Sequence, residues 1–279
     1  MTSDAPAAPR AVSTEGGSGV AAGGLDFLLQ SLAIAEVEVR KLVRDPTELL
    51  TRAVQPALWL VVFGQVFTRV RAIPTGNLSY IAFLAPGVLA QSVLFSAIFF
   101  GIAAIWERDL GIIHKLLVSP AYRGALVLGK ALSAGLRGLT QAVIVYALAA
   151  VMGVELRFAP GPLLGVLAIV MLGSALFATF SLVVACVVKT RERFMGIGQV
   201  LTMPLFFAST ASYPLAIMPP WLRAVARVNP LTYLVDALRG LMVQGGHTVF
   251  GAGADVAVQA GVFIVLLTVA AKLYPGLVR

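Results

Sequence analysis

The 279-residue chain has one cysteine, Cys186, and two histidines, His114 and His247. A single thiol closes no intrachain disulfide and cannot build a cysteine-rich zinc or iron–sulfur site. The two histidines are far apart in sequence, so a metal centre has little to start from. Charge is scarce as well. Asp, Glu, Lys and Arg make up 12% of the chain, against about 25% in soluble domains. Hydrophobic residues fill 59%, and a soluble fold so composed would lack the polar side chains to cover its surface. The chain is expected to have lipid as its main solvent. Acids are the scarcer sign, 13 against 21 basic residues, for a formal charge of +8. The basic residues are scattered between apolar runs, which suits anionic lipid headgroups and argues against nucleic acid as a partner.

Residues 1–24 are rich in Ala, Pro, Gly and Ser and lack a basic stretch followed by an apolar one. A secretory signal is not expected there, and the segment reads as a disordered tail. Residues 25–279 read as one membrane domain. It opens on an amphipathic helix near 26–44, capped by Asp26 and ended by Asp45-Pro46, suited to the headgroup layer.

Charge-poor intervals at 53–68, 72–106, 138–154, 158–188, 194–222 and 256–271 follow. A membrane helix needs about 20 mainly apolar residues. The expected fold is all-α and polytopic, with six transmembrane helices near 49–67, 81–105, 131–152, 162–188, 196–217 and 253–271. With both termini cytoplasmic, inner segments carry 13 Lys and Arg and outer loops 6, the bias expected of that orientation. Arg52 and Arg137 fall near the edges of their spans, leaving the span centres free of charge. That weakens a proton or sodium relay.

Two loops are patterned. The inner one, from Trp106 to Lys130, holds the apolar stripe Ile112, Ile113, Leu116 and Leu117 after Glu107, Arg108 and Asp109. It is expected to form a short amphipathic helix. The outer one breaks at Pro219-Pro220 and again at Asn229-Pro230, giving two short helices read as a hairpin on or in the outer leaflet. Gly124, Gly129 and Lys130 imitate a phosphate loop, but Ala131 stands where a hydroxyl should bind magnesium. Within the spans, Gln91, Phe95, Phe99 and Phe206 suit either helix packing or contact with an amphipathic substrate.

The order of these features resembles the membrane subunit of an ABC-type exporter, of the type-2 permease family that includes daunorubicin-type drug resistance permeases. The residues that carry it are Arg44-Asp45-Pro46 leading to Pro56, then Glu107-Arg108-Asp109-Leu110-Gly111 with Leu116-Leu117-Val118-Ser119-Pro120 and Gly129-Lys130, then Pro219-Pro220-Trp221-Leu222, Asn229-Pro230-Leu231-Thr232-Tyr233 and Asp236-Ala237-Leu238-Arg239. Ile112 follows Gly111 where the family usually has threonine.

The resemblance implies a chain with no catalytic, cofactor or metal site of its own, seated in the inner (plasma) membrane. Separate ABC ATPase subunits would bind ATP and Mg. A second permease subunit, as a homodimer, would complete the pathway. Glu107, Arg108, Asp109, Gly111, Leu116 and Leu117 would meet the ATPase, and Asn229, Pro230, Tyr233, Asp236 and Arg239 would build the outer hairpin. The implied cargo is a hydrophobic or amphipathic compound such as a drug or antibiotic. The same architecture exporting a polysaccharide or lipid-linked glycan is the alternative.

Overall fold

The computed structural model describes residues 54–70, 73–111, 123–188 and 190–274. The expected tail, the interfacial helix near 26–44 and the inner-loop helix with Leu116 and Leu117 lie outside them.

The first helical run, 54–70 (α1), is π-helical over Trp59–Gly64 and α-helical over Gln65–Val70. Then come α2 (Tyr80–Asp109), α3 (Arg123–Val151), α4 (Pro160–Val187), α5 (Arg191–Phe207), a 3-10 turn (Leu215–Ile217), α6 (Pro220–Val228), α7 (Pro230–Met242) and α8 (Ala252–Leu273). The caps explain the starts. Ser79 accepts from the Ala82 N–H at 3.2 Å, and Thr190 and Asn229 do the same for α5 and α7. Prolines open α4, α6 and α7, where their missing N–H costs nothing.

Among the described residues, four helices are long and apolar enough to cross a membrane: Tyr80–Asp109, Leu126–Val151, Pro160–Val187 and Ala252–Leu273. The chain is an all-α membrane protein with four such helices, and this corrects the expected six with their auxiliary helices. The fifth expected span fails at its far end. Helix α5 has 17 residues, carries Pro204 in its last turns and stops at Ala208. At 1.5 Å per residue it covers about 25 Å, short of the ~30 Å hydrocarbon layer. Beyond it, Ser209 binds its own backbone, as hydroxyl residues do where helices fail. The described part of the first expected span, 54–70, is equally short.

Two further expectations change. Helix α3 starts earlier than expected, so Arg137 sits near mid-helix rather than near an edge. Helix α7 is not laid on a leaflet surface: it is wedged among α2, α4 and α8 and has little contact with α6.

Helix α4 is the hub, packed on α2, α3, α7 and α8. The larger apolar core joins α2, α3, α4 and α7, and a smaller one gathers Ile105, Leu126, Leu182, Phe194, Ala270 and Tyr274 at the other end. The bundle therefore has two distinct ends. One carries the ends of α2, α4 and α8 and the starts of α3 and α5. At the other, Leu156 pairs with Val243 in an isolated bridge, and Arg157 N–H donates to Met242 O at 2.9 Å. Most of α8 is exposed outside the bundle, the face an apolar helix turns to lipid.

Candidate functional site

At the first end, the last turn of α2 is an ionic junction. Glu107 accepts from the Lys130 ammonium of α3, with Lys130 almost wholly buried. Asp109 Oδ1 accepts from Arg108 Nε and Nη2 at 3.0 and 2.8 Å. Its Oδ2 accepts from Arg191 Nε and Nη2 of α5 at 3.0 and 2.7 Å, a fork that matches a planar guanidinium. The Arg191 guanidinium also lies over the Trp106 ring, 4.1 Å from its centroid. Gly111 has φ +71° and ends the helix in a left-handed residue. Three helices are thus tied to the point where the 112–122 segment departs.

Of the sequence-expected coupling residues, the structure brings Glu107, Arg108, Asp109 and Gly111 together. Leu116 and Leu117 lie outside the described residues. The pairing of Glu107 and Asp109 with Lys130 and Arg191, and of Arg191 with Trp106, escaped sequence reasoning, which met Lys130 and Arg191 as inner-side cations and Gly129-Lys130 as part of the family pattern. The legible signal was the basic residues Lys130 and Arg191 in the segments following α2 and α4, opposite the acids Glu107 and Asp109 in sequence order.

At the opposite end the second group of residues forms a staple. Asn229 Nδ2 donates to Leu205 O at 2.6 Å and Ala208 O at 2.8 Å, while its Oδ1 accepts from Leu231 N–H at 3.0 Å. One side chain thereby closes the end of α5 and caps α7, with Pro230 as the first helical residue. Tyr233 OH donates to Arg227 O at 2.6 Å. Asp236 Oδ2 accepts from the Val249 and Phe250 N–H groups at 2.7 and 2.9 Å, anchoring the loop that leads to α8. Arg239 Nη2 donates to Thr210 O at 2.8 Å, and its guanidinium lies 3.8 Å over the Phe83 ring. Burial pulls the Arg239 guanidinium down to about 10 and nearby Asp236 pushes it back, so it is a cation at neutral pH.

The expected path residues do not converge. Gln91 is buried with Oε1 unpartnered, Phe99 is exposed, and Phe206 is buried under α1 with its ring 5.5 Å from that of Trp59. Phe95 is half-buried. A small cavity between α2, α3 and α4 is lined instead by Ser96, Phe100, Arg137 and Ser174. Among the described residues, no group of three or more His, Cys, Asp or Glu is placed to hold a metal ion.

Residues 29–243 match the family described as ABC-2 type transporter. The chain is similar to the ycf38 transport permease of Cyanophora paradoxa, 28% identical over 72% of this chain and 70% of that one. It is similar to the daunorubicin resistance ABC transporter permease protein DrrB1 of Streptomyces coeruleorubidus, 26% identical over 82% and 80%. It is also similar to nodulation protein J of Rhizobium leguminosarum bv. trifolii, 28% identical over 73% and 75%. These relatives have different names and comparable identities, so the resemblance is to the wider family and not to the daunorubicin-resistance group in particular. With a family match over most of its length and four apolar spans, the chain belongs to the ABC-2 type transporter family of membrane permeases.

Proposed function

We propose that this chain is the translocation subunit of an ATP-driven exporter of a hydrophobic or amphipathic compound. The observation that carries the mechanism is the junction at Asp109. One carboxylate holds α5 through Arg191 at the point where the 112–122 segment leaves α2. ATP and Mg belong to a separate ATPase subunit beneath that end. A push on the segment reaches Asp109 first, and through it α5, which is otherwise lightly packed on α2 and α4. Two discrete arrangements of a lightly held helix are what a mechanical relay requires.

A second permease subunit, a copy of this chain, completes the pathway. Its support is the unpartnered surface of α1 and α5. Val54, Leu58 and Val62 of α1 and Val200 and Met203 of α5 are exposed, and the two helices touch through Trp59 and Phe206. The exposed face of helix α5 also carries Gly196 and Gln199, a composition better matched by protein than by lipid.

In inverted vesicles holding the complete complex, ATP should drive accumulation of an amphipathic drug, and collapse of the proton gradient should leave it intact. Asp109→Ala and Glu107→Ala should each lower substrate-stimulated ATP hydrolysis several-fold while the protein still reaches the membrane. Uptake driven by a proton gradient with no ATPase present would sink the mechanism. Transport of a lipid-linked glycan in place of drugs would keep it and change the cargo. Wild-type coupling in both variants would remove the junction from the relay.

The ionic end faces the cytoplasm in this reading, since it carries Arg108, Lys130, Arg191, Arg193 and Lys272. A cysteine at Ala121 should react with impermeant reagent only from the cytoplasmic side, and one at Thr75 only from outside. The reverse pattern in intact cells would invert the assignment.

A further inference from the structure

An open apolar groove of about 620 Å³ runs between the second half of α5 and α6. Leu201, Pro204 and Leu205 form one wall, and Ala224, Val225 and Val228 the other. Its volume falls within the range of ligand-sized clefts. We propose that this groove binds one acyl chain of an anionic phospholipid, with the lipid phosphate held by Arg227.

Charge selects the occupant. Between Glu192 and Asp236 the chain has no acidic residue, and its only cations are Arg193, Arg223 and Arg227. Arg193 lies at the other end of α5, two to three turns from the groove. Arg223 is committed, its guanidinium donating to the carbonyls of Leu215, Ala216 and Met218 at 3.1 to 3.2 Å. That clamp closes the proline-bounded turn before α6 and leaves Arg223 a fixed positive charge. Arg227 is exposed. On a helix with about 100° per residue it lies beside Ala224, at the edge of the groove stripe. The surroundings of the groove are therefore positive, with no carboxylate in this stretch of chain to neutralise them.

Depth agrees. Trp221 sits on the same face of α6 as the groove and is 69% exposed. An exposed tryptophan next to arginines is the arrangement found at headgroup level, with apolar surface just below. Trp221, Val225 and Val228 continue the groove wall as an exposed apolar stripe. An acyl chain in the groove covers the apolar walls while the phosphate reaches the arginine.

The groove lies on a different flank of α5 from Gly196, Gln199 and Met203 of the surface assigned to the second subunit, and Val200 borders both. Leu201, Pro204 and Leu205 lie on one flank of the buried face of α5. Gly196, Gln199 and Met203 lie on the other, roughly 150° round the helix. The inference depends neither on which side of the membrane α6 faces nor on the exported compound.

The test uses the full chain carrying Trp59→Phe and Trp106→Phe, so that Trp221 is the single tryptophan, reconstituted in phosphatidylcholine vesicles. Brominated phosphatidylglycerol should quench Trp221 at about a fivefold lower mole fraction than brominated phosphatidylcholine, the preference one surface arginine gives for an anionic lipid. Arg227→Gln should abolish the difference and Arg227→Lys should keep it. Arg227 is exposed, so neither change there threatens the fold. Ala224→Phe, which fills the groove, should weaken quenching by phosphatidylglycerol. Equal quenching by the two lipids in the parent, or an unchanged preference in Arg227→Gln, would overturn the proposal. So would absence of quenching by either lipid, which would show a second copy of the chain covering the groove.

Discussion

Gly87→Ala is expected to leave little folded protein, although it changes one hydrogen to a methyl in the middle of a helix. A Cβ at Gly87 would overlap the backbone of Ala211, meeting its carbonyl oxygen and carbon closer than any side chain could yield. Ala211 belongs to the non-helical stretch after α5, and it is fully buried. Its own N–H is committed to Ser209 Oγ at 3.3 Å. Relief therefore requires moving main chain. Overpacking of this kind costs about 1–3 kcal/mol where side chains can shift, and the rigid case should lie at or above the top of that range. Total stability is only about 5–15 kcal/mol for an ordinary domain. The control is Gly253→Ala in α8, where a Cβ would meet nothing and alanine should stabilise the helix by up to about 1 kcal/mol. Thermal unfolding of purified protein in detergent, followed by size-exclusion profile, should show the two alanines moving stability in opposite directions. A Gly87→Ala protein as stable as the parent would mean that α2 and the 208–213 stretch do not approach as described.

Arg239→Met should be the most damaging change in α7. The methionine fits the space but leaves the Thr210 carbonyl without its donor and buried Asp236 without its neighbouring cation. It also removes the guanidinium from the Phe83 face. Removing the donor of a buried hydrogen bond and leaving its acceptor unsatisfied costs about 1–3 kcal/mol. Asp236→Asn should cost less, because the amide oxygen still accepts from the Val249 and Phe250 N–H groups. The informative protein is the double variant. Removing both charges should restore part of the stability lost in Arg239→Met, a coupling that a double-mutant cycle reads directly. Additive losses would show that Asp236 and Arg239 act independently, Asp236 as a loop anchor and Arg239 as a clamp on Thr210.

Both predictions rest on contacts between segments distant in sequence, and such contacts were the part sequence reading could not reach. The apolar runs identified α2, α3, α4 and α8 as membrane helices, because a run of about 20 apolar residues has few other uses. The same reading overestimated α5. It counted 194–222 as charge-free, and the interval is charge-free, but absence of charge does not make a helix. Pro204 and the hydroxyl residues after it end the helix well before the next charge does. The Asn229-Pro230 and Pro219-Pro220 breaks were legible, since proline and a capping asparagine act locally. The burial of the helix they introduce was not legible. Pro230–Met242 has the amphipathic look of a surface element, and its charges Asp236 and Arg239 suggested solvent.

Composition, spacing of charge and local turn chemistry determined by themselves that this is a helical membrane protein with a patterned segment after Glu107-Arg108-Asp109; that it is a permease rests on the family it belongs to. Tertiary structure alone decided how those residues are used. Glu107 turns inward to Lys130, and Asp109 takes Arg191 from a helix that begins 82 residues later. Phe206 packs under α1 instead of meeting Phe99, and Arg239 sits on a ring and a carbonyl instead of in water. The reason is physical. Helix formation and lipid solubility are properties of short windows of sequence. The pairing of a buried charge is a property of which windows the bundle brings within 4 Å, and no single window contains that information.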